Sequence, residues 1–141
     1  MVAPMNVRLP QQTSAALSAF AQKTARPKSA VVSMAVSEWL RLQDHPNIRF
    51  VSPAQGQRRA ALVDGPEVWS VAEAWLQCPE PDRTVVAVAT VIGLRADQVE
   101  AALSYWADNR AEIDQTIAAI HQAQEAGYAA WQRRQALDHL P

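Results

Sequence analysis

Cysteine and glycine are scarce in this chain of 141 residues, which holds one cysteine, Cys78, and four glycines. A lone cysteine excludes an intramolecular disulfide framework and a thiolate zinc site, and it fits a reducing cytoplasm. Four glycines leave no phosphate-cradling loop. No apolar run is long enough to span a membrane, and the first residues lack the apolar core of a signal peptide. A soluble intracellular protein is therefore expected. The three histidines, His45, His121 and His139, are scattered. His121 and Glu125 stand one helical turn apart, but two ligands do not make a zinc site. No Ser/His/Asp arrangement exists. Glu67, Glu73, Asp97 and Glu100 read as solvated faces, and Cys78 as a half-buried small residue. The sequence points away from an enzyme and away from any metal or cofactor.

What is present is an uneven distribution of charge. The net charge of −1 conceals eight basic and two acidic residues in residues 1–59, against five basic and twelve acidic in residues 60–141. The front is thus +6 and the rear −7. A basic front suits an anionic partner, and an acidic rear suits a different task. Apolar residues make up 49% of the chain, enough for a buried core in one ordinary domain or two small ones.

The first segment, Met5-Asn6-Val7-Arg8-Leu9-Pro10, alternates as a strand does. Met5, Val7 and Leu9 fall on one face, with Asn6 and Arg8 on the other. A lone strand of this length has no partner for its backbone groups, and the same strand of a second copy is the obvious one. A helix is predicted at Gln11–Ala25, with Leu17, Phe20, Ala21 and Thr24 on one face and Thr13 or Ser14 as its cap. Pro27 suits the first turn of a second helix, Lys28–Leu42. That helix carries Val32, Ala35, Val36, Trp39 and Leu40 as an amphipathic stripe.

Further on, Ile48–Val51 and Ala60–Val63 read as a small hairpin, followed by a turn at Asp64-Gly65-Pro66. Helices are predicted at Glu67–Gln77, Thr84–Ile92 and Ala96–Asn109. The last two carry Ala89, Gly93 and Val99 at helix-turn-helix spacing. Asp97, Glu100 and Asp108 on the would-be recognition helix would repel phosphates, so a packing or protein-binding role is expected there. Ala111–Leu140 is one long helix or two, with a possible interruption at Gly127. Its seam is Ile113, Ile117, Ile120, Gln124, Gly127/Tyr128 and Trp131.

Strand, helix and helix within residues 4–43, with the break Arg26-Pro27-Lys28-Ser29, resemble the ribbon-helix-helix (Arc/MetJ/CopG-like) family of DNA-binding proteins. The resemblance implies an intertwined homodimer that buries Leu17, Phe20, Val32, Val36 and Trp39. It also implies a β-ribbon in the major groove of operator DNA, where Asn6 and Arg8 would read base edges. Arg pairs with guanine and Asn with adenine in a bidentate way. Lys28 and Ser29 would anchor phosphate at the start of the second helix. A third outward strand position, polar in the family, is Pro4 here, so several dimers side by side would be needed for tight binding.

The stretches Leu94–Asn109 and Glu112-Ile113-Asp114, with the upstream hairpin and Val68-Trp69, are similar to a small helical domain of VapB-type antitoxins. That resemblance covers about residues 48–115. It implies a cognate toxin, a PIN-like ribonuclease. Tyr128, Trp131, Arg133, Arg134 and Leu137 are the candidate toxin-binding residues, because aromatic groups and Arg favour interfaces. Arg can also satisfy a carboxylate cluster.

The expected fold is mainly α (α+β), with three regions. Residues 1–45 form the ribbon-helix-helix domain, 46–115 the hairpin and helical domain with its helix-turn-helix, and 116–141 a helical tail. The expected function is that of a type II antitoxin that represses its own operon. The alternative is a stand-alone repressor whose rear domain oligomerises, and a third reading is a purely structural dimerisation adaptor.

Overall fold

A computed structural model describes residues 3–54 and 57–140. Residues 1, 2 and 141, at the ends of the expected first and last regions, lie outside the described residues, as do Gln55 and Gly56 of the expected hairpin turn. The protein is mainly helical, with one two-stranded antiparallel sheet. It divides into two compact units, Met1–Asp44 and His45–Pro141.

The N-terminal unit holds two helices, α1 (Gln11–Thr24) and α2 (Lys28–Asp44), packed as a hairpin. Pro10 precedes α1, and no side chain caps it, contrary to the expected role of Thr13 or Ser14. The turn between the helices places Ala25 in the left-handed region at φ 52°, where the Arg26 N–H closes on the Ala21 carbonyl at 3.0 Å. Glycine or asparagine usually takes this position, because a Cβ crowds the following carbonyl. Residues 5–10, where a strand is expected, have no strand structure in the single chain. The physical reason is the one the sequence anticipates: a strand's backbone groups need a neighbouring strand, and one chain does not supply it.

Two helices bury very little. Only Ala21 and Val31 are buried in the described part of this unit. The apolar stripe expected to be covered is open: Phe20 is 44% exposed, Val36 52% and Trp39 60%.

The C-terminal unit is built differently. Strand β1 (Ile48–Val51) pairs antiparallel with β2 (Arg59–Leu62), with Ile48 opposite Leu62 and Val51 opposite Arg59. The second strand is one residue earlier than its apolar run suggests. Val63 falls beyond it and is exposed, while Ala60, Ala61 and Leu62 are buried. The helices that follow are α3 (Val68–Gln77), α4 (Val85–Ile92), α5 (Ala96–Asp108) and α6 (Arg110–Leu137), with a single 3₁₀ turn at Glu80–Asp82 before α4.

Helix α3 lies against α4, α5, α6 and β2, so it is the centre of the unit. Val68, Val71 and Ala72 of α3, Val88 and Ala89 of α4, and Val99, Ala102 and Tyr105 of α5 are all buried. Thr84 caps α4 by accepting the Ala87 N–H at 3.1 Å. Gly93 ends α4 at φ 71°, a conformation glycine adopts without strain, and the Leu94 N–H returns to the Ala89 carbonyl at 2.9 Å.

Helix α6 is continuous from Arg110 to Leu137 and runs unbroken through residues 115 and 116, where the expected tail begins, and through Gly127. A helix of this length extends roughly 42 Å, at 1.5 Å per residue. Its seam is buried only at Ile113 and Ile117. Tyr128, Trp131, Leu137 and, past the helix end, Leu140 are exposed.

Candidate DNA-binding and partner-binding surfaces

In the N-terminal unit the expected DNA contacts are all solvent-facing. Asn6 and Arg8 are exposed ahead of α1, with Met5 and Val7 beside them. Lys28 and Ser29 form the exposed first turn of α2. The leading N–H groups of any helix lack partners within it, so this turn offers donors and a positive dipole end to an anion. Arg26 does not join them; its guanidinium leans on the Met34 sulfur at 3.9 Å.

Helices α4 and α5 pack on each other across the Gly93 turn, and the cation at the start of α5 is engaged by carboxylates. Arg95, the one cation at the start of α5, is held by Asp64 at 2.9 Å and Asp97 at 3.1 Å. Gln98 lies beneath this pair and is buried. Its amide donates to the Asp64 carbonyl and carboxylate, both at 3.2 Å, and its oxygen accepts the Arg95 N–H at 2.9 Å. The Arg95 guanidinium, followed by the Gln98 amide, holds the Asp64 carboxyl below the ordinary aspartate range. This network ties the turn after β2 to the start of α5.

The corner between α5 and α6 is also held by polar contacts. The Tyr105 hydroxyl donates to Glu112 at 2.7 Å, and the Trp106 indole N–H donates to Asp114 at 2.8 Å. Arg110 lies over the Trp106 ring, 5.0 Å from its centroid, and also bonds Asp114. These contacts fix the direction in which α6 leaves the unit.

Two histidines have partners that the linear sequence does not reveal. His45 is buried at the entrance to the C-terminal unit, edge-on to Tyr105, with Nε2 3.0 Å from Asp108. His121 meets Glu73 of α3 rather than Glu125 of its own helix. Glu73 is therefore a tether for α6, not a solvated face. Glu67 is likewise engaged: it accepts the Trp69 indole N–H at 3.1 Å and lies 3.6 Å from Arg59. Among the described residues, no three His, Cys, Asp or Glu side chains cluster as a metal site. No helix among them is long and apolar enough to cross a membrane.

The candidate toxin-binding residues are together on one element, the distal part of α6. Tyr128 and Trp131 stack with ring centroids 5.7 Å apart, and Arg133, Arg134 and Leu137 follow within two turns. None of the five is covered. Past Ile117 the helix continues for roughly 30 Å, at 1.5 Å per residue, without another buried residue.

Sequence reasoning missed an open groove between the end of α3 and α4. Ala74, Cys78 and Pro79 line it on one side and Val88, Val91 and Ile92 on the other, with a volume of about 340 Å³. Its only sequence signal was the exposure-prone run Val85-Val86-Ala87-Val88, in which apolar residues exceed what one buried face needs.

Compared with protein-family models, with curated proteins and with solved structures, the chain matches none.

Proposed function

We propose that this protein is the antitoxin of a type II toxin–antitoxin pair, a ribbon-helix-helix homodimer that binds operator DNA and represses its own operon. The observation that carries the reading is the uncovered apolar face of the N-terminal unit. Phe20, Val32, Val36, Trp39 and Leu40 are exposed across two helices that bury only Ala21 and Val31. Patches of this kind on a small unit mark an interface. Pairing with a second copy would cover the stripe and give Met5–Leu9 the strand partner it lacks. The resulting ribbon would present Asn6 and Arg8 to base edges, with Lys28 and Ser29 on phosphate.

In the same reading the distal part of α6 holds the toxin, a PIN-like ribonuclease. Tyr128, Trp131 and Leu137 act as apolar anchors, and Arg133 and Arg134 as partners for carboxylates. The protein is not an enzyme, uses no cofactor and acts in the cytoplasm.

The test is binding to DNA from its own promoter, followed by fluorescence anisotropy across a salt series. The native chain is expected to bind with a steep salt dependence, and Arg8→Ala to lose roughly 1–3 kcal/mol of discrimination while remaining dimeric. Unchanged operator binding by Arg8→Ala overturns the ribbon. Co-purification of the adjoining gene product, lost in Trp131→Ala, tests the toxin arm.

A further inference from the structure

The α3–α4 groove and the distal part of α6 are complementary to each other, although both belong to one unit. The groove is walled by small and aliphatic side chains and one amide, Gln77, and none of its lining residues is charged. Val91, on its lip, is 81% exposed. Beside Pro79 the 3₁₀ turn carries Glu80 and Asp82, both exposed. The nearby cation makes its hydrogen bonds elsewhere. Arg83 donates to the carbonyls of Cys78 at 2.9 Å and Leu76 at 3.2 Å and lies over the Trp75 ring. The groove is thus apolar with an acidic rim.

The distal part of α6 has the opposite character. Ala123, Gly127, Trp131 and Arg134 stand at helical spacings of four, four and three, and Ala130, Arg134 and Leu137 at four and three, so they share a face. Trp131 and Leu137 supply bulk, Gly127 and Ala130 permit close approach, and Arg134 supplies charge. An added Cβ at Gly127 meets nothing within 4 Å, so among the described residues nothing stands over this position. No residue of this face lines the groove of its own chain.

We infer that the distal helix of one copy docks in the α3–α4 groove of a second copy, Trp131 among the apolar walls and Arg134 against Glu80 and Asp82. Each copy carries one helix and one groove, so a two-fold pair makes the contact twice and closes on itself. In a dimer already joined through the N-terminal unit, the second contact is intramolecular and gains from a high effective concentration. The docked state buries Trp131 and Leu137, the residues assigned above to the toxin, so toxin binding and self-docking exclude each other. The self-contact does not require that a toxin exist.

Cys78 lies in the groove and is the only cysteine, which makes it a reporter. The full chain, alone in solution, is given one further cysteine at a time: Ala123→Cys or Ala130→Cys on the docking face, or Gln132→Cys on the far side. After mild oxidation, Ala130→Cys or Ala123→Cys is expected to give a covalent dimer and Gln132→Cys none. The dimer should vanish when Cys78→Ala is added, and fall roughly tenfold or more with Val91→Glu, because that charge enters a desolvated contact. At its exposed position, Val91→Glu should leave the circular dichroism spectrum unchanged. The inference is overturned by the absence of any covalent dimer, by one that survives Cys78→Ala, or by a disulfide formed within one chain. Because no other protein is present, failure here leaves the toxin co-purification result standing, and the reverse holds too.

Discussion

The two units use their apolar residues in opposite ways. The C-terminal unit packs a hairpin and three helices around α3, and its largest fully buried side chains, Tyr105, Leu62, Val68 and Val71, come from three different elements. The N-terminal unit has two helices and no third layer, and its bulkiest side chain, Trp39, is 60% exposed. A domain must bury each apolar stripe against something, and two helices can cover only one seam. The first unit therefore leaves its apolar face open, while the second encloses a core and leaves open the lip of the α3–α4 groove and the far end of α6.

The sharpest way to break this contrast is to truncate one large side chain in each unit. Leu62→Ala removes a side chain that is 1% exposed and should cost about 3 kcal/mol, independent of protein concentration. Trp39→Ala in an isolated monomer changes a half-open side chain and should cost no more than about 0.5 kcal/mol. If Trp39 is buried between two copies, the loss rises to about 2–4 kcal/mol and the unfolding midpoint becomes concentration-dependent. Denaturant titrations at two protein concentrations, with sedimentation of the same samples, separate these outcomes. A small, concentration-independent loss for Trp39→Ala removes the dimer from the reading.

A subtler contrast lies in how the helices of each unit end. Helix α4 of the C-terminal unit stops on Gly93, at φ 71°, where glycine carries no strain. Helix α1 of the N-terminal unit stops on Ala25 at φ 52°, where a Cβ costs about 1–2 kcal/mol. Ala25→Gly should therefore stabilise the N-terminal unit, by about 0.5–1 kcal/mol once the extra freedom of glycine in the unfolded chain is set against the relief. The reverse change, Gly93→Ala, should destabilise the C-terminal unit by a similar amount. A denaturant midpoint lowered by Ala25→Gly would show that the turn does not hold this conformation.

Local structure was legible because local rules set it. The stripe from Val32 to Leu40 marked α2, the run Ile48–Val51 marked β1, and Gly93 marked the turn between α4 and α5. What escaped were contacts between residues far apart in the chain. Glu73 and His121 look like surface residues of two amphipathic helices, and only the packing of α6 on α3 brings them together. His45 follows a helix end and precedes Pro46, which reads as a turn. Its burial depends on Tyr105 and Asp108, about sixty positions later. The sequence also suggested a continuous seam along α6, but a periodic pattern does not say where the neighbouring helix ends. α3 ends at Gln77, and the seam is buried only at Ile113 and Ile117.

The smallest effect expected is electrostatic, and it should be confined to the C-terminal unit. Arg95 and Gln98 hold the Asp64 carboxyl below the ordinary aspartate range. The unfolded chain then takes up this proton at a higher pH than the folded one does. The contribution of Asp64 is whole above the ordinary aspartate value and is lost as the pH falls through the lowered folded value. Both partners are exposed, Arg95 at 61% and Asp64 at 56%, so solvent and salt screen the pair and the effect should be slight. Asp64→Asn keeps an acceptor for the Gln98 amide and removes only the charge. It should flatten the acid limb of the C-terminal unit's stability profile, more visibly at low salt, and leave the unfolding of the N-terminal unit unchanged. An acid limb identical to that of the native chain would mean that the turn after β2 is held by Gln98 alone, and a shift in the N-terminal unit would mean that the two units do not unfold independently.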